Sequence, residues 1–178
     1  MDRRVATLKS SDRYSLLKVL SLSRYRYTLP VLLEMAVAVE ESAKDFYTSL
    51  ASKFSEHEEL FEQLAKDEED HAERYTHLLG RRRVEEVYST EEERMLADHN
   101  IQILESTQLV GSLRRGAERA REVSDLKSAV KAAVQLEKDT LLFYQNLAMG
   151  LGKEDRQEVY RIIRVEHSHL YKVQNLNP

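Results

Sequence analysis

Apolar residues recur at helical spacing in four stretches of this chain, and each stripe is interrupted near its middle by a glutamate. The first reads Leu33, Ala36, Val37, Glu40, Ala43, Tyr47, Leu50, and the second Leu60, Leu64, Glu68, His71, Ala72, Tyr75, Leu78. The third reads Val130, Ala133, Val134, Glu137, Leu141, Tyr144, Leu147, and the fourth Val159, Ile162, Ile163, Glu166, His169, Leu170, Val173. Local signals set the predicted ends. Thr28 with Pro30 reads as a helix start, and the first helix runs to about Lys53. Ser55 with Glu58 reads as a capping box opening a second helix that stops at Gly80. Arg81 to Ser89 is a basic connection. Thr90 with Glu93 opens a further helix to about Val110, and Gly111 and Gly116 bracket a polar, Arg-rich turn. Ser124 caps the third main helix, which stops at Gly150, and the fourth runs from about Lys153 to Gln174. The first and last connections are short and the middle one long. That order predicts an all-α four-helix bundle over residues 30–178, made of two antiparallel hairpins joined by a crossover that carries its own helix.

Composition agrees with this and narrows the chemistry. The chain has 178 residues, 33% of them charged, with five Gly and two Pro, which suits one helical domain with a core of its own. There is no cysteine, so disulfides, iron–sulfur clusters and Cys-ligated metals are excluded within it. No apolar run approaches the ~20 residues that span a bilayer, and no signal-peptide core is visible. The expectation is a cytoplasmic protein without a transmembrane segment. The net charge of −4 is unevenly spread: residues 1–29 carry seven Lys/Arg against Asp2 and Asp12, which leaves the remainder at about −9. This basic arm is read as a short amphipathic helix near Asp12–Leu22 that packs on the acidic body or on a second subunit. The alternatives are a targeting peptide, which Asp2 and Asp12 count against, and contact with a membrane or nucleic acid; of these, nucleic acid is not expected as a partner.

The glutamates in the stripes belong to a repeat. Both Glu40 to Ala51 and Glu137 to Ala148 fit Glu-x5-Phe-Tyr-x2-Leu-Ala, and each is followed, 28 or 29 residues after its Glu, by Glu-x-x-His: Glu68 with His71, then Glu166 with His169. Glu40 and Glu68 stand about equally far from their shared turn, as do Glu137 and Glu166, so at ~1.5 Å rise per residue each pair is level across its hairpin. One buried unpaired carboxylate is costly, and four at one level require compensating cations. No Lys or Arg falls on the stripes at that height. Two divalent ions balance four carboxylates, and residues at i and i+3 share a helix face, so each Glu-x-x-His can serve one ion. Hard carboxylates with one imidazole per metal suit iron or manganese. A single Glu-x-x-His would be read as a solvated face; two, with two further Glu at repeated spacing, form the ligand set of di-iron and di-manganese carboxylate bundles.

Further candidates surround the six. Tyr47 and Tyr144 lie seven residues past their Glu, too far for that residue's own contact. A hydroxyl reaching a carboxylate on another helix and an ordinary core tyrosine are both open. Asp67 is placed to bond the outer nitrogen of His71 at i+4. His57, His77, His99 and His167 fall off the stripes and are read as surface residues, and Glu91-Glu92-Glu93 as helix N-terminal acids.

At these residues the chain resembles the rubrerythrin-type branch of the ferritin-like superfamily, over about residues 30–176. The resemblance implies that Glu40, Glu68, His71, Glu137, Glu166 and His169 are the core ligands of two iron ions per chain, with manganese possible. Rubrerythrins proper carry an extra Glu three residues after the ligand of the third helix, where this chain has Thr140, and a four-cysteine rubredoxin domain, which is missing here. The first departure puts a peroxidase-type movement of iron in doubt, and the second makes the electron donor a separate protein. The function expected is a di-iron oxidoreductase that reduces peroxide or oxygen with an external electron-donor protein, working as a homodimer. The alternatives are a ferroxidase or iron-handling protein, and a non-enzymatic, metal-stabilised module that binds a partner through the basic arm.

Overall fold

Residues 29–81 and 116–176 are described by the structure, a computed structural model. They form α1 (Leu29–Lys53), a 3-10 turn (Ser55–His57), α2 (Glu58–Arg81), α3 (Gly116–Glu122), α4 (Leu126–Met149) and α5 (Lys153–Gln174). Among the described residues there is no strand, and no helix is long and apolar enough to cross a membrane. The basic arm, the connection after α2 and the helix expected from Thr90 lie outside the described residues.

α1 packs along α2 and α4 along α5, and the hairpins meet through α1 with α4 and α2 with α5. The apolar stripes face inward as their spacing requires. Phe46, Tyr47 and Leu50 from α1 are fully buried, and so are Phe61, Leu64, Tyr75 and Leu78 from α2. Phe143 and Tyr144 from α4 and Val159 from α5 complete the layer. Tyr47 stacks on Phe61 at 6.3 Å between centroids, and Tyr75 lies 5.0 Å from Tyr144.

The helix ends show where local signals were outcompeted. α4 is capped by Asp125, one residue after the predicted Ser124. The Asp125 carboxylate accepts the Ser128 N–H at 2.7 Å, while Ser128 Oγ accepts the Asp125 N–H at 3.1 Å. A full negative charge serves the positive end of a helix better than a neutral hydroxyl. The backbone and side chain of Ser128 hold the Asp125 carboxyl below its usual range. The expected Ser55–Glu58 box does not form. A 3-10 turn intervenes, with Phe54 before it making no side-chain cap and packing instead 6.4 Å from Phe61. α4 stops at Gly150 as expected, and Arg156 closes the turn to α5 by donating to the carbonyls of Ala148 (3.1 Å) and Leu151 (2.7 Å).

The turn expected between Gly111 and Gly116 lies outside the described residues, and the segment from Gly116 to Glu122, to which the sequence assigned no element, is α3. A seven-residue helix does not stand alone in water, and here tertiary contacts hold it. The Gly116 N–H donates to Ser42 Oγ of α1 at 2.6 Å. The Lys53 ammonium at the end of α1 donates to the carbonyls of Ala120 (2.6 Å) and Val123 (3.1 Å), satisfying the C-terminal end of α3. Ala120 is fully buried. The approach is so close that a Cβ on Gly116 would lie 1.9 Å from the Ser42 carbonyl oxygen, whereas one on Gly80 would meet nothing within 4 Å. Gly116→Ala is therefore expected to destabilise the protein by roughly 2 kcal/mol through overpacking. Gly80→Ala, also within a helix, should stabilise it by up to about 1 kcal/mol. Urea unfolding of the two variants against wild type tests the opposite signs; equal stability of Gly116→Ala and wild type would mean that α3 does not seat on α1.

Candidate metal centre

The glutamate in each stripe reaches the same level of the core. Glu40 comes from α1, Glu68 and His71 from α2, Glu137 from α4, and Glu166 and His169 from α5. All six are at most 3% exposed. They form two overlapping groups, each with its candidate ligand atoms within 4.8 Å of one another: Glu40, Glu68, His71 and Glu166 in one, Glu68, Glu137, Glu166 and His169 in the other. Glu68 and Glu166 belong to both. Both imidazoles turn Nδ1 inward. His71 Nδ1 is 2.8 Å from Glu166 Oε1, 3.3 Å from Glu68 Oε2 and 3.7 Å from Glu40 Oε1. His169 Nδ1 is 3.1 Å from Glu166 Oε2 and 3.3 Å from Glu68 Oε1. The i, i+3 spacing puts each histidine beside its own glutamate. The adjacency of α2 and α5 then brings each histidine to the other helix's glutamate as well. That sharing is invisible in one-dimensional spacing.

The donor chemistry fits a pair of hard divalent cations. Both oxygens of Glu40, Oε2 of Glu137 and Oε1 of Glu166 are buried without a hydrogen bond among the described residues. Glu166 Oε1 is near His71 but out of line for one. Orphaned anionic oxygens in a core are expensive unless a cation meets them. Protonation equilibria report the same strain. Burial, then the charges of Glu166 and Glu68, push the carboxyls of Glu40 and Glu137 well above the usual carboxylate range. Burial also works against a charged Glu166, but the imidazoles of His169 and His71 beside it hold it down to about 2. Burial opposes the charging of His71 and His169, yet the nearby Glu166 and Glu68 carboxylates raise them to about 9 and about 11.

Tyrosines surround the cluster. The Tyr47 hydroxyl on α1 donates to Glu137 Oε1 on α4, so it reaches across the bundle. Tyr144, its repeat counterpart, lies against Glu40; burial first and then the Glu40 charge hold its hydroxyl in the neutral form, but it closes no hydrogen bond among the described residues. Tyr75, which the sequence offered only as a stripe residue, is a third. It is fully buried, its hydroxyl has no partner among the described residues, and burial with the charge of Glu40 raises its pKa. Asp67 does not serve His71 as expected. Its Oδ2 lies 3.0 Å from Nε2 of His169, across on α5, so the contact runs between helices rather than along α2. Of the other histidines, His77 and His167 are exposed and His57 is partly so, while His99 lies outside the described residues. Thr140 is buried.

These equilibria fix a sign for the pH dependence of protein stripped of metal with a chelator. A group whose pKa is raised by folding stabilises the fold below its unfolded value and loses that contribution as pH climbs through its folded value. For His71 the window runs from 6.5 to about 9, and for His169 from 6.5 to about 11. Glu40 and Glu137, also raised, act in the same direction from 4.5 upward. Glu166 acts oppositely, its contribution fading only as pH falls from 4.5 towards about 2. The stripped protein is expected to melt at progressively lower temperature from pH 6.5 to 9. At about 1.4 kcal/mol per pKa unit, His71 alone contributes a loss on the order of 3 kcal/mol. Calorimetry at intervals across that range checks it; a melting temperature that is flat or rises would refute the charge arrangement described.

The family profile described as rubrerythrin matches residues 32–177, a span that holds all six cluster residues. No curated protein and no solved structure gives a match. An all-helical bundle with a duplicated carboxylate and histidine cluster at its centre is what that match leads one to find, and the chain belongs to the rubrerythrin family.

Proposed function

We propose that the protein is a di-iron oxidoreductase that reduces peroxide or oxygen with electrons from a separate donor protein. The observation that carries this reading is the pair of overlapping buried ligand groups. Glu40 and His71 would hold one ion, Glu137 and His169 the other, and Glu68 and Glu166 both. The bound iron pair would supply the redox chemistry, one electron from each ion.

The chain's own contribution is charge, orientation and exclusion of water. Four carboxylates offset four positive charges, so the loaded core is neutral. Tyr47 orients Glu137 through its hydroxyl, and Asp67 orients His169 through Nε2. Glu40, with no hydrogen bond on either oxygen among the described residues, is the least restrained carboxylate and the one most able to adjust when the charge at the centre changes. The layer of Phe46, Phe143, Leu50 and Leu147, each at most 1% exposed, keeps bulk water from that side. Reducing one peroxide to two waters takes two electrons and two protons. These 178 residues contain no cysteine and so hold no rubredoxin-type or iron–sulfur relay among them; the proposal assigns that task to a separate donor.

Elemental analysis after anaerobic ferrous reconstitution is expected to give two irons per chain. Glu166→Ala, which removes a shared ligand, should lower both occupancies. Glu40→Ala should leave close to one. Peroxide or oxygen consumption should require added reductant. A wild-type chain that takes up one iron or none would overturn the proposal.

A further inference from the structure

The repeat equates Glu40 with Glu137, Glu68 with Glu166 and His71 with His169, but the contacts behind these pairs are unequal. At one end of the centre both unshared residues are held. Glu137 accepts the Tyr47 hydroxyl. His169 Nε2 lies 3.0 Å from Asp67 Oδ2, and that carboxylate is 3.8 Å from the Lys172 ammonium. At the other end the hold is looser. The Tyr144 hydroxyl lies against Glu40, but among the described residues neither Glu40 oxygen closes a hydrogen bond. His71 is engaged only through Nδ1, and no described residue bonds its Nε2. The position equivalent to Asp67 is Val165, which is 37% exposed and has no polar atom to offer. His71 also lines a groove between α2 and α5 of about 580 Å³, whose walls include Asp67, Asp70, Arg74, Arg161, Arg164 and Val165. His169 is not among the groove residues and its side chain is fully enclosed. Arg74 and Arg161 at this groove are both drawn to Glu158, which tempers their repulsion of an approaching cation.

Taken with the metal-centre reading above, on which this rests, we propose that the two metal positions are inequivalent. The Glu40–His71 position exchanges its ion with solvent along the α2–α5 groove, and the Glu137–His169 position retains its ion through the Asp67 and Tyr47 tethers. A ligating imidazole whose second nitrogen is bonded to a carboxylate is fixed in orientation and made more basic, and loss of such a partner weakens metal binding about 10- to 100-fold. His169 has that partner and His71 does not. An imidazole lacking it swings away from its ion more readily, and the groove gives water or a chelator a place from which to compete.

The test uses the full chain loaded anaerobically with two cobaltous ions, whose visible absorption reports occupancy, and mixed with excess chelator. Release is expected in two phases of one ion per chain, the fast one about tenfold or more quicker than the slow. Glu40→Ala should abolish the fast phase and Glu137→Ala the slow one. Val165→Asp, which supplies the missing carboxylate at a half-exposed site, should slow the fast phase about tenfold and leave the slow one alone. Asp67→Val should accelerate the slow phase towards the fast. A merely structural role for Asp67 would move both phases together. Release of both ions in a single phase, assignment of the fast phase to Glu137, or a Val165→Asp protein with unchanged rates overturns the inequivalence while leaving the two-metal centre standing. A wild-type chain that binds no cobalt removes the centre, and the proposal with it.

Discussion

Four carboxylates share one level of an apolar core, and the rest of the structure is organised around making that tolerable. In water each would be solvated; here Glu40, Glu68, Glu137 and Glu166 are at most 1% exposed. Opposing charge must come from within a few ångströms, and among the described residues no Lys or Arg side chain is placed to provide it. The two imidazoles are the only other charge-bearing groups in the cluster among the described residues. They are driven towards their cationic forms, while Glu40 and Glu137 are driven towards neutrality. A cluster driven to hold protons on its carboxyls has room in its charge for stronger cations than imidazolium. Two divalent ions at the overlapping groups meet the same four charges without any of these displacements.

The architecture follows from that demand. Short turns at both hairpins keep Glu40 level with Glu68 and Glu137 level with Glu166. The three-residue offset inside each Glu-x-x-His then delivers an imidazole to the same level from α2 and α5. Packing above and below must offset what the polar centre does not contribute, and the paired layers around Phe46 and Phe143 in the two halves do so with fully buried rings. Ligand binding to the folded state alone adds stability by mass action, so a metal held by this cluster would couple occupancy to folding, as in other metal-organised cores.

Much of this was legible from spacing because charge inside an apolar stripe is such a strong anomaly. The stripes placed the cluster, and α5 and the Gly150 stop of α4 emerged where local signals put them. What escaped was decided by contacts between helices. Asp67 was matched with His71 because i, i+4 is the nearest relation one helix offers, whereas the real contact joins α2 to α5 over 102 residues. The sharing of Glu68 and Glu166 is of the same kind. α3 has no stripe long enough to announce itself; it exists because Ser42 and Lys53 satisfy its ends. Asp125 displaced Ser124 as the cap because a carboxylate and a hydroxyl stood side by side and only one could hold the box.

The same reasoning explains where asymmetry can reside in a duplicated centre. Changing a ligand in one half alters the charge at the common level, and every other buried carboxylate then shifts in response. Changing a residue one layer out does not. Asp67 keeps its side chain 22% exposed and within 3.8 Å of Lys172, so its charge is solvated and partly balanced where it stands. Its repeat counterpart is a valine, and the counterpart of buried Tyr75 is Val173. Differences of this kind leave the number of ligands and the neutrality of the loaded core intact while altering how firmly each ligand is aimed. Two metal positions with the same donors can thus be made to behave differently through hydrogen bonds alone, and the groove that reaches His71 but not His169 lies at the position those bonds leave loose.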